Sequence, residues 1–433
     1  MKRILFCLAA LSAMSAFAAG DLGPLIPNGQ LFAKTMREMT FFQGERFAWV
    51  VKDKQMRFPE PGFSIGALKL GETLVMFQDG KASGLRVSLY NRGDMGRLSD
   101  PSQFPQRIET AAKELETLYG KPGEKFERKT DPTKTVHNVE GYRWATDGSV
   151  ASLEWAVVPK KAGVGYEPQA EYLRLDVLPA AGSAAANPSQ PTGRRVDPKT
   201  HVLRGPDGVT ELTDVPMVDQ GAKGYCAAAT VARIMGYYGL EFLDQHQIAS
   251  WVSSDPRAGT SNEAMMDGLH KVLHDRYGLV YFELPCGKIN PQKLVEDYNK
   301  AAKSLKKQPI ELRSFAANGV INMADVWRAF DAEVLRKARC GNPGRNQMWM
   351  GEIRKSIDRG VPLVWSCMLG IVPETPALPQ AFGGHMRLII GYTADGRIVY
   401  TDSWGAGHER KFMKAEDAQL ITTGLRTISW TAN

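Results

Sequence analysis

Alternating apolar and polar positions mark several short strands early in the chain. In "GLRVSLY", Leu85, Val87 and Leu89 fall on one side of an extended segment, and Asp79-Gly80 supplies a hairpin turn just before it. A second hairpin is expected at Asp147-Gly148, between "YRWAT" and "SLEWAVV", and "YLRLDVL" adds a further strand. Between these groups the period changes from two to 3.6. Ile108, Ala112, Leu115 and Tyr119 line one face of a helix that Gly120 and Pro122 should end. Residues 20–179 thus read as a small α+β domain, with no catalytic constellation in it.

The stretch "AAGSAAANPSQPTGRR" has nothing periodic to bury and marks a linker over 180–200. Beyond it helices come first. "CAAATVARIMGYYG" predicts one that Gly239 stops, and "TSNEAMMDGLHKVLHDRYG" opens with Thr260 and Glu263 at capping-box spacing. Others are expected at Pro291 to Lys307, Ala324 to Ala338 and Gln347 to Arg359, with "GNPGRNQ" as a loop. Strands follow in "VPLVWSCM", "HMRLIIGY", "RIVYTD" and near "RTISW". Helices first and an antiparallel sheet later is α+β order, here over 201–433.

The first residues, "MKRILFCLAALSAMSAFAAG", combine a short basic end, an apolar run and Ala16 and Ala18 in an A-x-A arrangement. That is the form of a cleaved secretory signal over 1–19, and it predicts a secreted or periplasmic protein with no membrane span. Removing Lys2 and Arg3 takes the formal charge from +7 to +5, and the remaining charges are interspersed. Without a basic patch or a known nucleic-acid fold, no nucleic-acid partner is expected. Four cysteines remain, Cys226, Cys286, Cys340 and Cys367, enough for two disulfides. If Cys226 is a nucleophile at most one bridge is left, and Cys286 with Cys340 is the expected pair, since Cys367 sits in an apolar run.

Cys226 falls in the first turn of its helix, where unpaired N–H groups and the positive dipole end favour a thiolate. An ordinary thiol has a pKa of about 8.5, and such a place with a nearby imidazolium lowers it to roughly 3.5–7.5. Gln220, six residues earlier, precedes the turn "GAKG", which could fold its amide back over the thiol as an oxyanion donor. The bland alternative is a glutamine that only closes a loop. Downstream, "GGHMRLIIGYTADGRIVYTDSWGAG" puts His385 at the start of an apolar strand and returns with Asp402, Ser403, Trp404 and Gly405.

In this order, the glutamine, the cysteine, the His strand ending in Gly-Tyr and the "DSWG" resemble a papain-like cysteine peptidase. The Tyr-Tyr-Gly helix end and the aspartate look closer to the bacteriocin-processing branch, which cuts double-glycine leaders. The resemblance covers Val215 to Gly405, with its diagnostic part in the two motif blocks. It implies a helix bearing Cys226 packed on an antiparallel sheet bearing His385 and Asp402. It also implies Cys226 as nucleophile, His385 as general base and acid, Asp402 as the group orienting the imidazole, and Gln220 as oxyanion donor. Peptide or protein is the implied substrate, and the chemistry needs neither metal nor cofactor. Trp404 would shield the His–Asp bond from water, and Tyr225, Gly384, Trp404 and Arg387 would meet substrate. Tyr225 and Ala227 depart from the family, which usually has a small residue before the cysteine and Trp or Tyr after it. Arg387, two positions after His385, shares its face on a regular strand and could lower the imidazole's pKa or bind a substrate carboxylate, with a salt bridge at the rim as the alternative. The same triad could serve an acyl transferase or an amidase, and an inactive binding protein on this fold is the contrasting expectation.

Register supplies a check. A tight two-residue turn at Asp395-Gly396 would pair Asp402 with Ile389, about 13 Å along the strand from His385. Catalysis needs Asp402 opposite His385, so a wider turn near Thr393 and Ala394, or a bulge, is expected. His270 and His274 have metal-binding spacing but no glutamate after His270, which favours a solvated helix face. His408-Glu409 reads as a surface loop.

Overall fold

The computed structural model describes residues 20–41, 47–51, 53–58, 62–128, 139–158, 169–180, 197–221, 223–240, 245–255, 259–317, 320–375, 377–405 and 407–430. The expected export signal and most of the linker lie outside these residues. The chain forms two compact units, each mixed α and β with antiparallel strands. The first contains Met1–Pro191, Pro216–Tyr225 and Asp244–Val272; the second contains Thr192–Val215, Cys226–Leu243 and Leu273–Asn433. The sequence suggested a single change of domain at 180–200, whereas two later segments pack with the first unit. None of the described helices is long and apolar enough to cross a membrane.

The first unit is built on eight strands, β1 (Ala48–Val51), β2 (Gln55–Phe58), β3 (Thr73–Gln78), β4 (Lys81–Asn91), β5 (Glu124–Arg128), β6 (Val139–Ala145), β7 (Ser149–Val158) and β8 (Gln169–Pro179). They lie in the order β1-β2-β3-β4-β8-β7-β6-β5, all antiparallel. Asp79 and Gly80 both take positive φ, the geometry that a two-residue hairpin demands. Helix α1 (Gln103–Tyr119) buries Ala112, Leu115 and Tyr119 as its periodicity requires, and Gly120 ends it in the left-handed conformation.

The segment 216–225 is fastened to this unit by buried charge. Glu72 accepts from Lys223 and from Nε2 of His246 (3.1 Å), and lies 3.5 Å from Arg57, whose other end reaches Asp219 at 3.2 Å. The hydroxyl of Tyr225 donates to Asn91 at 2.8 Å. At Gly221 φ is +67°, and a Cβ would lie 2.4 Å from the Arg57 guanidinium, so glycine is needed twice over.

The second unit carries β9 (Val202–Arg204), β10 (Val209–Leu212), β11 (Leu279–Glu283), β12 (Leu363–Leu369), β13 (Gly383–Thr393), β14 (Arg397–Thr401), β15 (Lys411–Lys414) and β16 (Thr422–Trp430). Six form the path β9-β10-β13-β12-β16-β11, and β14 joins β13 with β15 beside it. Strand β12 is buried at every position, as its unbroken apolar run implies. Helix α2 (Cys226–Tyr237) lies against β13, with Thr230 Oγ1 3.5 Å from the Met386 carbonyl. Gly239, at φ +66°, marks its end as expected.

Several local expectations change. The helix expected over Ala324 to Ala338 is two, Met323–Ala329 and Ala332–Cys340, because the Asp331 carboxylate accepts from Glu333 and Val334 and starts a second one. "GNPGRNQ" is not a loop. Asn342 caps the helix Pro343–Asp358, with Pro343 in its first turn. Ser261, rather than Thr260, accepts the N–H of Ala264 at the start of Asn262–Tyr277. The expected Cys286–Cys340 bridge is absent: both thiols are free, and Cys340 donates instead to the Glu416 carbonyl at 3.3 Å.

Candidate active site

Cys226 is the first residue of α2 and remains partly exposed, with a free thiol. The apolar, alanine-rich helix buries nearly every following residue and so fixes where its N-terminus lies. Burial alone would push the thiol's pKa up. The hydrogen bond and charge of His385, joined by the N–H of Met386, instead hold it below its ordinary value. His385 stands near the start of β13. Burial works against its charged form, yet the charge and hydrogen bond of Asp402, with those of Cys226, carry it from 6.5 up to about 9. Both shifts act in one direction, favouring a proton on the imidazole over one on the thiol.

Asp402 receives Nε2 of His385 at 2.6 Å, leaving Nδ1 as the ring nitrogen free to serve the sulfur. Nδ1 itself makes no hydrogen bond of good geometry. The Asp402 carboxylate also accepts the Ser403 N–H at 2.8 Å. Trp404 stacks flat on His385, centroids 4.1 Å apart and planes within 7°, which covers one face of the imidazole against water. His408, expected on a surface loop, is buried, stands edge-on to Trp404 and gives its carbonyl to the Asp402 N–H at 2.9 Å.

The register that delivers Asp402 uses the bulge the sequence suggested, but the turn is centred on Asp395 rather than near Thr393 and Ala394. Ala394, Asp395 and Gly396 form a three-residue turn, closed by Thr393 against Arg397 through the side-chain oxygen of Thr393. A bulge at Ile390 then shifts the pairing, from Gly391 with Val399 to Ile389 with Tyr400. Extended one step past Leu388 with Thr401, this register sets Asp402 across from Arg387, not from His385 as expected. The two lie on one face, and the carboxylate reaches His385 along the diagonal.

Arg387 is accordingly not a substrate contact. Its side chain is fully buried, with Nε 2.7 Å from Oδ2 of Asp402, an ion pair too bent to count as a hydrogen bond. Its Nη1 donates to Glu374 at 3.0 Å, so the salt bridge is internal rather than at a rim. Tyr225 is corrected for the same reason: it is buried in the first unit with its hydroxyl engaged by Asn91, and presents no surface to substrate. Gly384, next to His385, is exposed, with open space where a side chain would stand. In the first unit Gln220 donates an amide hydrogen to the Lys223 carbonyl at 2.8 Å, which closes the turn.

Two participants escaped the sequence reading. Arg233, seven residues along α2 from Cys226, donates to the Asp402 carbonyl at 2.8 Å and to Thr401 Oγ1 at 2.5 Å. Its charged residue type inside an apolar helix was the available signal. Glu374, from the loop before β13, had none. His270 and His274 are exposed on their helix, the latter beside Asp275. No family model matches the chain, and no curated protein sequence matches it.

Proposed function

We propose that this chain is a papain-like cysteine peptidase, hydrolysing peptide bonds through a thioester acyl-enzyme. What supports the reading is the set Cys226, His385 and Asp402, in which a helix N-terminus and the neighbouring imidazole hold the thiol's pKa below its ordinary value. The thiolate attacks the carbonyl carbon. His385 then gives its proton to the leaving amine, and afterwards takes one from the water that opens the thioester. Asp402 keeps the imidazole oriented and favours its charged form throughout. Gln220 is assigned to the oxyanion on its spacing from Cys226 in the sequence alone. Open space at Gly384 supports entry of an extended substrate beside His385. Export from the cytoplasm belongs to the same proposal.

The test uses the chain from residue 20 onward and iodoacetamide as the thiol probe. Stoichiometric labelling of Cys226 well below pH 8, slowed at least about tenfold in His385→Ala, together with cleavage of a peptide library lost in Cys226→Ala, is the expected result. Labelling no faster than that of a free thiol, and independent of His385, would sink the proposal.

A further inference from the structure

Behind the candidate triad lies a closed chain of charges that peptide hydrolysis does not by itself require. Asp402 offers Oδ1 to His385 and Oδ2 to Arg387. Arg387 continues to Glu374, and Glu374 is held in turn by the Tyr400 hydroxyl at 2.5 Å and by Lys411 at 3.4 Å. Each of these side chains is almost wholly buried, where an unpaired charge costs several kcal/mol, so the alternation of signs is what makes the chain tolerable. Arg387 also lies over the rings of Trp365 and Tyr400, centroids 5.6 and 5.0 Å away, which fixes its guanidinium in place.

A buried aspartate with only one cation would hold the imidazolium so firmly that the ring could not readily surrender its proton to a leaving amine. Here a second cation claims the other oxygen. Resting on the peptidase reading above, we infer that Arg387 and Glu374 are positioning residues that act on His385 through Asp402. Arg387 draws off part of the carboxylate's charge, and Glu374, carried by the loop that enters β13, limits how much. The other charged or titratable groups near the ring are Cys226 and Arg233 on α2, Cys367 on β12, Tyr400 on β14, His408 and Glu409 in the loop after Asp402, and Lys411 on β15. None of them touches the carboxylate's second oxygen as Arg387 does.

The sign of the effect separates this role from a merely structural one. In Arg387→Met a positive charge beside Asp402 is lost, while Glu374 keeps Lys411 and Tyr400, so the His385 imidazolium should hold its proton to a higher pH by about one unit. In Glu374→Gln, which preserves shape and can still accept from Arg387, the undivided guanidinium should move the same titration down by at least about half a unit. Arg387→Lys should stay near the parent. The titration is read by NMR on histidine-labelled protein, with the His385 signal assigned by its absence in His385→Gln, and thermal melts establish that each variant is folded. Opposite shifts in the first two variants are expected. Shifts of one sign, no shift in a folded Glu374→Gln protein, or a lysine variant that behaves like methionine would overturn the inference while leaving the peptidase reading intact. A parent protein whose His385 titrates near 6.5 with an ordinary thiol would overturn both.

Discussion

On the proposed peptidase reading, one proton shared by Cys226 and His385 decides the chemistry. Acylation needs the thiolate and the imidazolium together, so hydrolysis should rise as the thiol ionises, below its ordinary range, and fall as His385 loses its proton at about 9. A pH profile of kcat/KM on any cleaved peptide checks this; a basic limb near 6.5 would contradict it. Trp404 matters to the same proton because its ring covers the imidazole at stacking distance. Trp404→Ala admits water to the His385–Asp402 bond and should lower the His385 titration by roughly one unit, with slower labelling of Cys226 as the companion sign. Arg233 acts on the backbone instead. Arg233→Met strips the Asp402 carbonyl and Thr401 of a donor and should cost about 2–4 kcal/mol in denaturant unfolding.

Among the elements, the hairpin of β13 and β14 carries the geometry. Its bulge at Ile390 moves Asp402 by one position, and in a strand one position changes the face. Inserting one alanine between Tyr400 and Thr401 should therefore pair Asp402 with Met386, turn its side chain away from His385 and bring Cys226 labelling down to the rate of an ordinary thiol. Urea unfolding would show whether the sheet persists. At Gly391, next to the bulge, a Cβ would come within 2.6 Å of the Thr210 carbonyl on β10, so Gly391→Ala should separate β10 from β13 at a cost of about 1–3 kcal/mol. These strands were readable from their apolar runs, and a need for slack in the turn followed from counting residues. Which residue bulges was not readable, because a bulge answers to neighbours on both sides of the strand.

For the molecule as a whole, the two packing units matter more than the linker composition. The segment that leads into Cys226 is fixed by Glu72, Arg57 and Asn91, all from the region expected to be a separate domain. A fragment beginning at residue 197 would lose the partners of Asp219, Lys223, Tyr225 and His246. We expect it to be poorly folded and to label slowly at Cys226, not to be activated as release from an inhibitory prosegment would require. Size-exclusion chromatography with labelling of fragment and full chain distinguishes the two outcomes. Glu72→Ala in the full chain should act in the same direction, by about 3 kcal/mol, since it strips Arg57, Lys223 and His246 of the buried carboxylate they share.

Local chemistry alone determined that a cysteine opens an apolar helix, that a histidine begins an apolar strand and that an aspartate follows the next one, because helix ends, strand periods and turn residues are short-range properties. It also located α1, its glycine stop and the Asp79-Gly80 hairpin. Only the tertiary structure decided that Asp402 faces Arg387 as well as His385, that Glu374 closes the charge chain, and that Tyr225 and Arg387 are interior. Those outcomes depend on register and on which buried charges find each other across the sheet, and the energy that selects them comes from partners far apart in sequence.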